Sequence, residues 1–317
     1  MSEAVVVESG ARLHMGFLDL GGTLGRRFGS IGMALDRPQT RLRLVRTDET
    51  CFEGPDRDRA ANCHTAIMRH LGLTAHHKLS IVSAIPAHAG LGSGTQLALG
   101  VAAAVRRLHG IPADPFDDAG ALNRGARSGI GIGLFAHGGF VVDGGRGARA
   151  APPPMLTRIA VPKSWRILLL QDPRHSGLSG SDETAGFAAL PPFSDALAGH
   201  LCRLVLLQVL PALIEDDLAQ FGDAITRIQR LLGDHFAPAQ GGRIASPAVA
   251  AALSLLAAEG ATGLGQSSWG PTGFGFIRGA AAAERLADRV RRSPHGSDLQ
   301  IEICRPRNCG ATISDPA

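Results

Sequence analysis

Pro86-Ala87-His88-Ala89-Gly90-Leu91-Gly92-Ser93-Gly94-Thr95-Gln96 decides how this chain is read. An apolar, β-branched run at 79–85 precedes it and predicts a strand. Leu97, Val101, Val105 and Leu108 follow at spacings of three and four, the pattern of a helix with one apolar face. A glycine-rich loop therefore joins a strand to a helix start. Glycine lets the backbone approach a ligand closely. The first amides of a helix have no internal partner and carry the positive end of its dipole. That geometry holds phosphate, so Gly90, Leu91, Gly92, Ser93, Gly94, Thr95 and Gln96 are the expected phosphate-binding residues. It is not a Walker A loop, because no lysine follows it. Lys78 and Lys163 are the whole supply of lysine, which leaves no place for a protein-kinase strand lysine either.

The rest of the composition narrows the partners. At 317 residues and 44% hydrophobic, the chain can bury a large core, as one large domain or two moderate ones. The net charge of +4 comes mainly from arginines that are dispersed rather than run together. With 4% aromatics and no tyrosine, neither a basic track nor a base-stacking platform is expected, so nucleic acid is not the partner. The longest apolar run, at 204–214, is short for a membrane span and contains Pro211. Five widely spaced cysteines without a secretory signal predict a soluble cytoplasmic protein with reduced thiols. Cys304 with Cys309, and Cys63 with His64, lack the second pair that a metal site needs, and no metal ligand is assigned.

Strands are expected at 4–7, 42–45, 140–142 and 166–170, and helices at 62–71, 115–126, 200–213, 217–232, 247–258 and 284–290. Residues 274–277 and 299–303 read as a strand pair. A small, proline-rich stretch at 147–154 marks a boundary, giving an N-terminal domain at 1–155 and a C-terminal domain at 156–317. The alternation of elements gives an α/β class in two halves, with a two-layer α+β arrangement.

Four further clusters can carry chemistry. Arg12, His14 and Asp19 stand close together in the first glycine-bearing stretch and read as one polar pocket wall with catalytic roles; Arg26 follows. Gly129-x-Gly131-x-Gly133 lacks the third glycine of a dinucleotide fingerprint and follows a helix, so Ser128 and Gly129 are read instead as substrate contacts. Gln266, Ser267, Ser268, Trp269 and Thr272 form a second loop rich in hydroxyls before a strand. Arg174, Ser179 and Gly180 lie after a strand's carboxyl end, a common ligand position.

Taken together, these motifs resemble the GHMP superfamily of galactokinase, homoserine kinase and mevalonate kinase. Within it the chain is most similar to the β-ribofuranosylaminobenzene 5′-phosphate synthases. The segments are RLHMGFLDLGG at 12–22, GLGSGTQLALG at 90–100, RSGIGIGLFAHGGFVVDGG at 127–145 and GQSSWGPTGFGF at 265–276. The resemblance implies a two-domain GHMP-type fold. It also implies a reaction joining phosphoribosyl diphosphate to 4-aminobenzoate, or to 4-hydroxybenzoate, with loss of CO2 and diphosphate. That step leads to methanopterin-type one-carbon carriers. Mg2+ as cofactor and a homodimer are expected with it. Many GHMP kinases carry S-G-x-D, whose aspartate serves the attacking hydroxyl; here the element reads Ser128-Gly129-Ile130-Gly131. An ATP-dependent small-molecule kinase and a non-catalytic ligand sensor of the same fold remain the alternatives.

Overall fold

A long hairpin organises the first half. Strand β1 (Ala4–Asp19) pairs antiparallel with β2 (Phe28–Arg46) along almost its whole length, with register shifts at Gly10/Arg12 and His14/Gly16. In this computed structural model, residues 3–149, 151–177 and 185–315 are described. The strand expectations at 4–7 and 42–45 capture only the outer end of the hairpin. The glycine-bearing stretch between them, to which no element was assigned, supplies most of both strands and the turn that joins them.

β3 (Cys51–Glu53), β4 (His77–Ser83), β5 (Phe140–Asp143), β6 (Met155–Ile159) and β11 (Thr312–Ser314) complete a seven-stranded sheet. Helices α1 (Arg57–His70), α2 (Ser93–Leu108), α3 (Pro115–Ala121) and α4 (Ile130–His137) lie within this half. The apolar stripe of α2, Leu97, Val101, Val105 and Leu108, packs on Val5, Val7, Leu42 and Leu44 of the hairpin. Because β6 joins β5 and β11 joins β1, the first sheet uses residues beyond 155, and a cut at 155/156 falls at the first residue of β6.

The second sheet has the order β10-β7-β9-β8, from β7 (Trp165–Gln171), β8 (Thr262–Gln266), β9 (Thr272–Arg278) and β10 (Gln300–Cys304). The expected strand pair at 274–277 and 299–303 is corrected here. β9 and β10 do not pair with each other; both flank β7, whose run Ile167–Leu170 is buried on both faces.

Among the described residues, long helices complete this half: α5 (Asp195–Ile214), α6 (Leu218–Gln240), α7 (Pro247–Ala258) and α8 (Ala280–Arg291). α7 and α8 cover one face of the second sheet through Leu253, Leu256, Leu286 and Val290. The other face shares one core with the hairpin, where Leu13 and Met15 meet Phe221, Ile225, Trp165 and Phe274. That shared core fixes the two halves against each other.

α5 is longer than the apolar run suggested. At 20 residues it is long and apolar enough to cross a membrane by length and composition. Pro211 is accommodated by a π turn at Val205–Val209, where the hydrogen-bond ladder is already widened. Its Leu201, Leu204, Val205, Val209 and Leu213 are buried in the shared core, while Leu206, Leu207 and Ile214 are exposed.

Candidate active site

The phosphate loop is held by its carbonyls. The Arg12 amide donates to Leu91 O at 2.9 Å, Ser267 Oγ to Gly90 O at 2.8 Å, Thr272 Oγ1 to Ala89 O at 2.7 Å, and the Gly177 amide to His88 O at 3.1 Å. Carbonyls tied down on one side leave the amides of such a loop for the other. A β-carbon at Gly90 would collide with the Ser267 carbonyl, and one at Gly92 would sit 3.0 Å from Arg12 Cβ. Both glycines have positive φ, +77° and +79°, so glycine meets a steric and a conformational demand together.

Among the described residues no side chain caps the helix that follows. Gly92 is the N-cap of α2, there is no side-chain cap and no acidic residue in the first turn. The partial positive charge there is left for an anion. Two arginines outside the expected set stand beside it. A β-carbon on Gly94 would lie 3.1 Å from Arg59 Nη2 and 3.3 Å from Arg124 Nη1. Arg59 also pairs with Asp56 at 3.0 Å. Arg124 Nε is buried with no hydrogen-bond partner. Beneath them burial raises the Cys63 thiol pKa, against the pull of Arg124 and Arg59.

The S-G-x-D position abuts this loop. Gln96 Nε2 donates to Gly131 O at 3.0 Å, and a β-carbon on Gly131 would lie 3.2 Å from Thr95 Cγ2. A side chain at 131 would therefore face the phosphate loop, and glycine supplies none. A carboxylate does stand nearby: Asp143, fully buried. It accepts from the Gly129 and Gly145 amides at 2.9 Å each, from Ser128 Oγ at 3.3 Å, and from Ser30 Oγ. Burial raises its pKa and these donors oppose that. With four donors on it, Asp143 ties the start of α4 to β5. The sequence marked it only as the end of a strand.

The first-motif residues do not form one wall. Asp19 is seven positions from Arg12 on the same strand, roughly 20 Å at about 3.3 Å per residue. Asp19 accepts from the Gly21 and Gly22 amides at 2.8 and 3.0 Å and lies by α5 near Cys202. Arg12 stands at the phosphate loop. His14 is buried, its amide donating to Ser267 Oγ at 3.0 Å. Burial, and then the charge on Arg12, hold its imidazole well below the usual histidine range, so it is neutral at pH 7.

Several other expected contacts are engaged within the protein. Arg26 donates to Gly144 O at 2.7 Å and Gly145 O at 2.6 Å. Arg174 is bridged to buried Asp172 at 2.8 Å and to Asp298 at 2.7 Å. Gln266 accepts from the Ala245 amide at 2.7 Å and donates to Gln240 Oε1 and Ser268 O, both at 3.1 Å. Ser179 and Gly180 lie outside the described residues.

Ser268 and Trp269 turn away from the phosphate loop and line a small cavity of about 40 Å3 with His14, Phe17, Gln229, Leu232, Phe236, Gln240 and Arg243. Trp269 packs edge-on to Phe187 and against Phe236. Sequence reasoning missed the α6 side of this cavity, because Leu232 and Phe236 look like the ordinary apolar stripe of an amphipathic helix.

The fold, with an uncapped glycine loop clasped by the hydroxyl-rich loop at 265–276, defines a GHMP-type protein. The GHMP kinases N terminal domain family matches residues 58–139, and the GHMP kinases C terminal family matches 209–295. The structure is similar to homoserine kinase from Cytophaga hutchinsonii, with a TM-score of 0.71 at 16% identity over 99% of this chain and 98% of that one. The beta-ribofuranosylphenol 5′-phosphate synthase of Archaeoglobus fulgidus is 31% identical over 96% of this chain and 97% of its own length. That of Methanothermobacter thermautotrophicus is 29% identical over 88% and 92%. The chain belongs to the beta-ribofuranosylphenol 5′-phosphate synthase family.

Proposed function

We propose that this enzyme transfers the 5-phosphoribosyl group of phosphoribosyl diphosphate to the ring of 4-aminobenzoate or 4-hydroxybenzoate, releasing CO2 and diphosphate. The observation that carries this reading is the uncapped start of α2 with Arg59 and Arg124 beside it and no side chain at Gly131. It is a place for a polyanion with no side chain at position 131, and the nearby carboxylate, Asp143, is already taken by four donors.

The reaction asks for that combination. Diphosphate leaves the anomeric carbon with the bonding electron pair, and positive charge develops on the sugar. Amides and arginines fixed on the departing oxygens stabilise the separated charge. The ring carbon bearing the carboxylate is already electron-rich, because the para amino or hydroxyl group donates into it. It bonds to the sugar carbon without prior deprotonation. The carboxylate then departs as CO2, and its bonding electrons restore the aromatic ring. No oxidant, reductant or covalent enzyme intermediate enters the balance.

Among the described residues no group of three His, Cys, Asp or Glu could hold a metal. Mg2+ in this reading travels on the diphosphate, as it usually does with phosphate substrates, and no residue is assigned to it. The test is to incubate the protein with phosphoribosyl diphosphate, Mg2+ and carboxyl-labelled 4-aminobenzoate or 4-hydroxybenzoate. Sugar-dependent release of labelled CO2 is expected. Its absence with both acids rejects the reading.

A further inference from the structure

Two residues lining the cavity behind the phosphate loop carry unexplained polar atoms. His14 Nε2 and Trp269 Nε1 are both buried without a hydrogen-bond partner, on residues 3% and 5% exposed. Leaving a buried polar atom unpaired is costly, so two on residues that line one cavity need a reason. Gln229, Gln240, Gln266 and Arg243, which also line it, already have partners. Gln229 donates to Met15 O at 2.7 Å and accepts from the Gln266 amide at 2.8 Å. Arg243 pairs with Asp234 at 2.7 Å.

The cavity is also coupled to the anion site. Ser267 Oγ accepts from the His14 amide and donates to Gly90 O, so one hydroxyl joins the cavity wall to the phosphate loop. Gly270, next to Trp269, packs on the Ala89–Gly90 backbone. Phe17, Phe236 and Trp269 give aromatic walls. The volume exceeds the roughly 10–15 Å3 that one water needs and admits the leading edge of a single ring.

We propose that this cavity is the arene subsite, with Trp269 Nε1 and His14 Nε2 as the polar partners of the substituent para to the carboxylate. The inference rests on the reaction proposed above. In that reaction the carboxylate-bearing carbon must face the sugar, and so the phosphate loop. The para substituent then points the opposite way, into the cavity. An indole N–H is only a donor, while a neutral imidazole keeps one accepting nitrogen. A phenolic hydroxyl can accept from the first and donate to the second; an aryl amine can donate to the second. Benzoate can do neither.

The test compares 4-hydroxybenzoate with benzoate, by calorimetric titration in the presence of inorganic diphosphate. Wild-type protein should bind 4-hydroxybenzoate at least tenfold more tightly. In Trp269→Phe, which keeps an aromatic wall and loses the N–H, the ratio should fall to about threefold or less, while the KM for phosphoribosyl diphosphate stays within twofold. A merely structural role for Trp269 would weaken both acids alike. His14→Asn gives the same comparison from the other partner. Tryptophan emission of the wild type, which needs no variant, should change on adding 4-hydroxybenzoate. CO2 release by the wild type with an unchanged ratio in both variants overturns the subsite and leaves the reaction standing. No CO2 release, with the ratio collapsing as described, overturns the reaction and leaves the subsite.

Discussion

At Gly92 two requirements coincide. Its φ of +79° disfavours a side chain, and the space a β-carbon would take is bounded by Arg12. Gly92→Asp would add a carboxylate where uncapped amides and arginines face an anion. Affinity for phosphoribosyl diphosphate should fall at least tenfold, about 1.4 kcal/mol, in protein whose circular dichroism is unchanged. Equal affinity in folded protein would remove the loop from the site. Arg124→Gln tests the neighbouring cation. It should lower kcat/KM for phosphoribosyl diphosphate about tenfold, mainly through kcat, the signature of a contact that strengthens as the diphosphate departs. An unchanged kcat/KM would return Arg124 to a packing role against α1.

Among the elements, α1, β4 and the end of α2 meet through three histidines. His64 Nε2 lies 2.9 Å from His77 Nδ1, and His77 Nε2 lies 3.0 Å from His109 Nε2. Each gap holds one proton. A further proton on the chain would set two N–H groups against each other, with Arg46 adding to the repulsion. Burial first, and then these neighbours, lower His77 to about 4; His64 and His109 are also lowered, with burial the largest cause. The folded values lie below the unfolded value of about 6.5. Stability is therefore complete above about pH 6.5. It falls as pH drops from there towards about 4, because the unfolded chain takes up protons that the folded chain refuses. Each such histidine contributes up to about 1.4 kcal/mol per pH unit in that window. Thermal melts between pH 4.5 and 7.5 should show this slope in the wild type and a shallower one in His77→Gln. Parallel slopes would locate the acid sensitivity elsewhere.

Legibility also divides at the scale of elements. The phosphate loop and α2 could be read because everything that makes them is local: a strand, glycines, then a helical apolar stripe. The run Gly129 to Gly133 was harder. α4 begins inside it, since Gly131 and Gly133 pack against Thr95 and Val141 at distances that leave a side chain little room. Arg59 and Arg124 gave no signal, because two arginines among many dispersed ones become a pair only when α1 and the segment after α3 pack at the loop. Arg12 and Asp19 misled in the opposite sense. Neighbours in sequence, they are carried apart by a strand where sequence reading places no element.

Over the whole molecule, the shared core that joins the hairpin to α6 and the second sheet brings the four glycine-rich motifs together. The same fold serves kinases, as the likeness to homoserine kinase shows. At the site this chain has glycine at 131, and its two lysines lie outside every glycine-rich loop. Phosphoryl transfer to an alcohol needs the hydroxyl positioned, and often deprotonated, beside the γ-phosphate. We therefore expect no transfer of labelled phosphate from ATP to homoserine, mevalonate or galactose. Transfer at ~1–10 per second, the range of a working enzyme, would promote the kinase reading.

The most direct measurement of sugar transfer is a stoichiometry. Purified protein is given phosphoribosyl diphosphate, Mg2+ and the carboxyl-labelled aromatic acid, with ATP left out, and diphosphate and CO2 are counted in one vessel. The account predicts equal amounts of both, appearing together and only when both substrates are present. Diphosphate without CO2, or turnover that requires ATP, would contradict it.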